Sequence, residues 1–182
     1  MPFGESNIRP ATVNDARGIA EVHVASWKTT YRDIVPASVL EALSVDKREA
    51  GWRELLARTD LIIFVAYDSA GEVIGFACGG AERSGSLSCG GVNCDGELQA
   101  IYWLESVRGQ GLGTLLVRRV ARVLESRGFH SMAVWVLELN AYRKFYEALG
   151  GVVIGEKTIE RGGESFVEIA YGWRDLGGLG AK

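Results

Sequence analysis

Apolar and polar positions change period several times along the chain, and each change marks an element. Leu61 to Tyr67 is an almost unbroken apolar run and reads as a buried strand. Asp68-Ser69-Ala70-Gly71 supplies a turn, and Val73 to Gly80 the returning strand of a hairpin. Upstream, Asn7 to Pro10 is a short first strand. Thr12, with Asp15 three residues on, starts a helix that runs to about Thr29. Further helices are predicted over Ala37 to Leu43 and Lys47 to Arg58. The apolar run Leu98 to Leu104 is followed by a helix, Leu112 to Arg127. Its Leu112, Leu116, Val120, Val123 and Leu124 form one stripe, with Arg118, Arg119, Arg122, Glu125 and Ser126 mostly on the solvated face. Ser131 to Leu137, Val152 to Ile159 and Ser165 to Trp173 complete the strands, the last two joined by a turn at Arg161-Gly162-Gly163. The alternating order is that of an α/β domain.

Between the third and fourth strands, Ser84 to Gly96 is rich in Gly, Ser, Asn and Asp. It reads as a flexible loop, either a plain connection or a mobile flap over a reacting group. At 182 residues the chain is one domain, 1–182, with 1–6 and 175–182 expected as flexible tails. A net charge of −3 with mixed signs gives no nucleic-acid surface. No apolar run reaches the ~18 residues of a membrane span. Met1 to Asn7 lacks a signal-peptide pattern, so a cytoplasmic location is expected. Cys78, Cys89 and Cys94 are odd in number and read as reduced thiols. Their spacing is not that of a zinc site, and no metal is expected. Oligomeric state is open, a homodimer included.

The candidate chemistry begins at Arg108-Gly109-Gln110-Gly111-Leu112-Gly113. A strand, a glycine-rich turn and a helix N-terminus make an anion site, because the first helical amides have no intrahelical partner and carry the positive end of the dipole. Glycines let backbone approach a phosphate. A dinucleotide fingerprint fails at Thr114, where a third glycine is required. A nucleotide-triphosphate loop fails because no Lys lies between Lys47 and Lys144.

What remains, Arg-x-x-Gly-x-Gly, resembles the acetyl-coenzyme A loop of the GNAT superfamily of N-acetyltransferases. Two further stretches agree in order and distance. Asn140 followed by Phe145-Tyr146-Glu147 and Leu149-Gly150 is similar to the family's C-terminal signature, and Glu97 to Trp103 to its acidic-start fourth strand. The resemblance is specific over residues 97–150. It implies a mixed, mostly antiparallel sheet flanked by helices, which splays between the strand ending near Trp103 and the strand ending near Leu137. It implies acetyl-coenzyme A as co-substrate, with Gly109, Gly111, Leu112, Gly113 and Thr114 around the pyrophosphate and Arg108 beside them. Backbone amides near Ile101 and Trp103 would hold the pantetheine arm and thioester. Asn140 would bond the same arm, serve as a helix N-cap, or do both. Trp103 and Glu105 stand where the family usually has Val and Pro, and Gly151 where it often has Phe.

Acetyl transfer to an amine requires loss of an amine proton, donors for the oxyanion and a proton for the departing thiolate. Reference pKa values of ~10.4 and ~8.5 put both proton steps out of reach of unaided groups at pH 7. The resemblance makes Glu97 the candidate base, working through water, with Asp95 as backup; the alternative for Glu97 is a polar residue at the loop mouth. Tyr146 is the candidate acid, since a phenol holds its proton at pH 7; the alternative is a core aromatic like Phe145. Tyr142, four residues earlier, shares its helical face. The acceptor would lie near the first helices, where Trp27, Tyr31, Asp33 and Trp52 fall, with Trp27 and Tyr31 the candidate contacts. Three activities fit: transfer to a primary amine of a small molecule, transfer to a peptide or protein N-terminus, and non-catalytic acetyl-coenzyme A sensing. Retained Glu97 and Tyr146 favour the first two.

Overall fold

The computed structural model describes residues 3–4 and 7–180; parts of the expected tails, 1–2, 5–6 and 181–182, lie outside the described residues. The chain runs β1 (Ile8–Pro10), α1 (Ala16–Thr30), α2 (Ala37–Glu41), α3 (Val45–Leu56), β2 (Ile62–Tyr67), β3 (Val73–Ala81), β4 (Ser88–Cys89), β5 (Val92–Asn93) and β6 (Gly96–Trp103). It continues with α4 (Leu112–Ser126), β7 (Met132–Leu137), α5 (Lys144–Ala148), β8 (Val152–Arg161), β9 (Glu164–Trp173) and α6 (Gly177–Gly180). The expected elements stand within a few residues of their predicted bounds. The segment after Asn140 is less helical than expected, a 3-10 turn over Ala141–Arg143 and then the five residues of α5.

Seven strands form one sheet in the order β1-β2-β3-β6-β7-β9-β8. Every neighbouring pair is antiparallel except β6 and β7, which α4 connects as a parallel crossover. Their pairing is confined to Gly96 opposite Met132 and Glu97 opposite Ala133. Beyond that point the strands part, which is the expected splay. The β8–β9 hairpin turns at Gly162 and Gly163, with φ of 59° and 83°. Two successive positive φ values match the hairpin turn whose twist follows the strands, and glycine meets them without a Cβ penalty.

The stripe of α4 covers one face of the sheet. Leu116, Val117, Val120 and Leu124 are fully buried against Phe64, Ala77, Leu98 and Val134. On the other face α1 and α3 bury Ile19, Val22 and Trp52 against Val65, Phe76 and Cys78. Tyr31, Val35 and Leu40 close a third cluster with Leu137 and Phe166 of the far strands.

Three expectations are corrected. The Ser84–Gly96 segment is not an unpacked loop: it contains the β4–β5 hairpin, and Leu87, Cys89 and Cys94 are buried against Ala133 and Ala170. Its glycines serve the turn, with Gly90 and Gly91 at φ of 69° and 94°. Cys89 and Cys94 form a disulfide across this hairpin, so only Cys78 is a free thiol; burial pushes its pKa up to about 12. The pairing removes one ground on which a reducing compartment was expected. Residues 175–180 are not a tail, because Leu176 and Leu179 are buried in the main core and α6 packs on α4. No helix among the described residues is long and apolar enough to cross a membrane.

Candidate active site

The splay leaves a narrow cleft at the centre of the sheet. Leu98 to Trp103 of β6 form one wall and Val134 to Val136 of β7 the other; Tyr31, Arg108, Asn140, Tyr142 and Tyr146 complete it. Strand alternation fixes which β6 amides face it. Leu104 N–H donates to Ile74 O on the β3 side at 2.9 Å. Residues 102 and 100 follow suit, so the amides of Ile101 and Trp103 point to the opened side. Ser26 Oγ donates to Trp103 O at 2.9 Å and ties α1 to the cleft rim, a contact no sequence pattern announced.

At the end of this rim the chain enters α4 through Gly109 and Gly111, at φ of 74° and 81°. A Cβ on either would meet nothing within 4 Å, so the loop faces open space. The first intrahelical bond from this turn is Leu115 N–H to Gly111 O. The amides of Leu112, Gly113 and Thr114 are therefore free to donate outward. Gly113 serves packing instead: a Cβ there would stand 2.8 Å from the Trp103 ring. Arg108 pairs with Glu105 at 3.1 Å and lies 4.4 Å over the Tyr142 ring. Glycine backbone, unpaired amides and an adjacent cation fit a pyrophosphate.

Tyr146 is buried against Phe145, Tyr171 and Trp173 with its phenol on the cleft. Burial pushes that phenol's pKa up, and Tyr102 adds to the effect. Tyr31 is raised by burial in the same way, with contributions from Tyr102 and Tyr146, and Tyr102 is raised by burial too, so three protonated phenols line the cleft. Asn140 does cap the following turn: its Oδ1 accepts from Tyr142 N–H at 2.9 Å, and its Nδ2 donates to the Tyr31 hydroxyl at 3.4 Å. Tyr142 lines the same cleft as Tyr146 but nearer the surface. It is partly exposed and holds Arg108.

Next to the cleft, a cavity of about 680 Å³ opens between α1, α3 and the β8–β9 hairpin. This volume is in the range of small-molecule sites. Trp27, Tyr31, His23, Tyr102 and Glu97 all line it. Trp27 and Tyr31 are in ring contact at 4.7 Å. Asp33 is exposed, and Trp52 is buried behind His23. Trp52 Nε1–H donates to His23 Nδ1 at 3.2 Å, and burial, then Arg48, pull the imidazole down to about 4.

Glu97 is 2 % exposed and accepts from Arg83 three times: from Nη2 at 2.6 Å, Nε at 2.9 Å and the backbone N–H at 3.2 Å. Arg83, missed in the sequence, lies fourteen residues away across the β4–β5 excursion. Asp95, the backup base, lines neither the cleft nor the cavity. It accepts from the His130 and Ser131 amides and from Ser131 Oγ at 2.6–2.8 Å, locking the start of β7. Burial raises that carboxyl, but those bonds together hold it below its ordinary range. No cluster of three or more metal-ligating side chains occurs among the described residues.

A family model described as the acetyltransferase (GNAT) family matches residues 25–151. An uncharacterized N-acetyltransferase, YuaI of Bacillus subtilis, is 40% identical over 172 residues, covering 94% of this chain and 95% of its own. An L-methionine sulfoximine/L-methionine sulfone acetyltransferase of Pseudomonas aeruginosa is 29% identical over 143 residues, 75% of this chain and 73% of its own. Among solved structures, yncA of Salmonella typhimurium with its cofactor acetyl-CoA superposes at a TM-score of 0.66, with 21% identity and 92% of each chain covered. At that identity the likeness is one of fold.

Proposed function

The chain belongs to the acetyltransferase (GNAT) family, and from that premise we propose that it moves the acetyl group of acetyl-coenzyme A to a primary amine of a small molecule. The observation that carries this reading is the parted β6–β7 edge. It places the outward amides of Ile101 and Trp103 in one cleft with Tyr146, with the glycine loop at the end of its rim. The amides of Leu112, Gly113 and Thr114, with Arg108, take the pyrophosphate; those of Ile101 and Trp103 take the pantetheine arm and the thioester oxygen.

The acceptor enters from the cavity beside Trp27 and Tyr31. Its nitrogen lone pair forms the C–N bond to the thioester carbon, and the C–S bond breaks. The amine proton leaves through a water held by Glu97, which lines the cavity beside its Arg83 pair. Tyr146 gives its phenolic proton to the departing thiolate. Water exchange then returns both groups to their starting states.

A small acceptor is favoured over a protein N-terminus by the β8–β9 hairpin. Its tip is seated on the α2 region, where a Cβ on Gly162 would stand 2.5 Å from Val39 and 3.3 Å from Pro36, so the cavity is walled on that side. The named acceptors of the Pseudomonas relative are also small molecules. The test is release of coenzyme A thiol from acetyl-coenzyme A over a panel of small amines and peptide N-termini, with products identified by mass. Amine-dependent release led by small amines is expected. Release led by peptides supports the N-terminal reading, and release with none supports a non-catalytic binder.

A further inference from the structure

The charge on the walls of the acceptor cavity is unevenly used. Arg48, Arg83, Lys157 and Arg161 line it, with Glu82, Glu97 and Glu168. Arg83 is engaged by Glu97, and Lys157 reaches Glu168 at 3.2 Å. Glu82 is turned onto its own loop, accepting from Ser84 N–H, Ser84 Oγ and Gly85 N–H at 2.6–2.8 Å. Glu97 and Glu168 are thus paired with cations, whereas Glu82 is held by neutral donors and keeps its charge. Among the described residues Arg48 and Arg161 have no carboxylate within ion-pairing distance.

These two arginines come from different walls. Arg48 is half-buried on α3, and Arg161 ends β8 at the hairpin tip. Both act electrostatically on the Tyr102 phenol, which borders the cavity and the cleft alike. The only imidazole on these walls, His23, has Nδ1 committed to Trp52 and is uncharged near neutral pH. The walls therefore carry four cations against three carboxylates, and the guanidiniums without a carboxylate partner are those of Arg48 and Arg161. They disfavour a polycation such as a polyamine and suit an anion, because a guanidinium offers a planar fork of donors to a carboxylate.

We propose that the acceptor is an amine that also carries a carboxylate or equivalent oxyanion, an amino acid in chemical class, and that Arg48 and Arg161 bind that anion while the amine points to the cleft. This inference rests on the transfer reading above and specifies its substrate.

The test compares matched sets: an amino acid, its carboxamide and the amine left by decarboxylation, built on leucine, methionine sulfone and 4-aminobutyrate. With parent protein and acetyl-coenzyme A, kcat/KM for the acid should exceed that for its carboxamide by about tenfold or more in at least one set, the effect of one charge-assisted contact. Arg48→Gln and Arg161→Gln should each collapse this ratio towards one, and Arg48→Lys should restore part of it. Because the readout is a ratio within one protein, a partly destabilised variant still reports. Parent protein that uses the carboxamides or amines as well as the acids overturns this inference alone. So does an acid preference that survives both Gln variants. Thiol release with none of the sets overturns the transfer reading, and this inference with it.

Discussion

The ring of Trp103 lies against Gly113 so closely that a Cβ on the glycine would stand 2.8 Å from it and 3.1 Å from Phe145. The last residue of β6 thereby sets the position of the α4 N-terminus and of the free amides there. Gly113→Ala should destabilise the fold by about 1–3 kcal/mol, the usual penalty of overpacking, and weaken acetyl-coenzyme A binding as the helix end shifts. Trp103→Val should restore stability in the double variant. Urea unfolding and calorimetry check it; an unaffected Gly113→Ala protein contradicts the packing account.

Cys89 and Cys94 close a short loop on the sheet face. In denaturant without reductant the chain should titrate one thiol, Cys78, and after reduction three. Reduction should lower stability by about 2 kcal/mol, from the entropy of a loop this short. Three thiols without reductant would contradict the pairing.

His23 gives a pH dependence whose sign is fixed. Its pKa in the folded chain is about 4, below the unfolded value near 6.5. The unfolded state therefore binds more protons between those values, and stability rises with pH there. The contribution is complete above about pH 6.5 and is lost as pH falls towards 4; it is on the order of 3 kcal/mol at most. His23→Asn, which keeps an acceptor for Trp52, should flatten the slope of the unfolding midpoint with pH in that window. Equal slopes in parent and variant would count against the buried neutral imidazole.

Glu97→Gln keeps the shape of the side chain and removes its charge. Turnover of an amine the parent acetylates should fall by about tenfold or more, with acetyl-coenzyme A affinity nearly unchanged. Stability should fall by about 1–3 kcal/mol as the Arg83 contacts weaken. Turnover at the parent rate would remove Glu97 from the proton path and leave it as the anchor of Arg83.

Much of this was legible in the chain because local chemistry and global fold agree. The α4 stripe, the Gly109–Gly113 turn and the Asn140 to Gly150 segment each carry their signal within about a dozen residues. What escaped depends on contacts between distant positions. The Ser84–Gly96 segment was read by its glycines and serines. Its fold depends instead on three apolar or sulfur side chains, Leu87, Cys89 and Cys94, that find partners on β7 and β9. Leu176 and Leu179 were likewise masked by the glycines around them. Arg83 and Glu97 meet only because β3 pairs with β6, and His23 meets Trp52 only because α1 packs on α3. Asn140 kept both of its readings open in the sequence; its hydrogen bonds to Tyr142 and Tyr31 show the cap directly.

The account turns on Tyr146 as the proton donor at the parted strands, and Tyr146→Phe removes only its hydroxyl. The direct measurement is thiol release by this variant and the parent, with an amine the parent acetylates, alongside acetyl-coenzyme A affinity by calorimetry. Turnover should fall by about tenfold or more while affinity stays within about twofold. Turnover at the parent rate would show that another group or solvent protonates the thiolate, and would contradict the account.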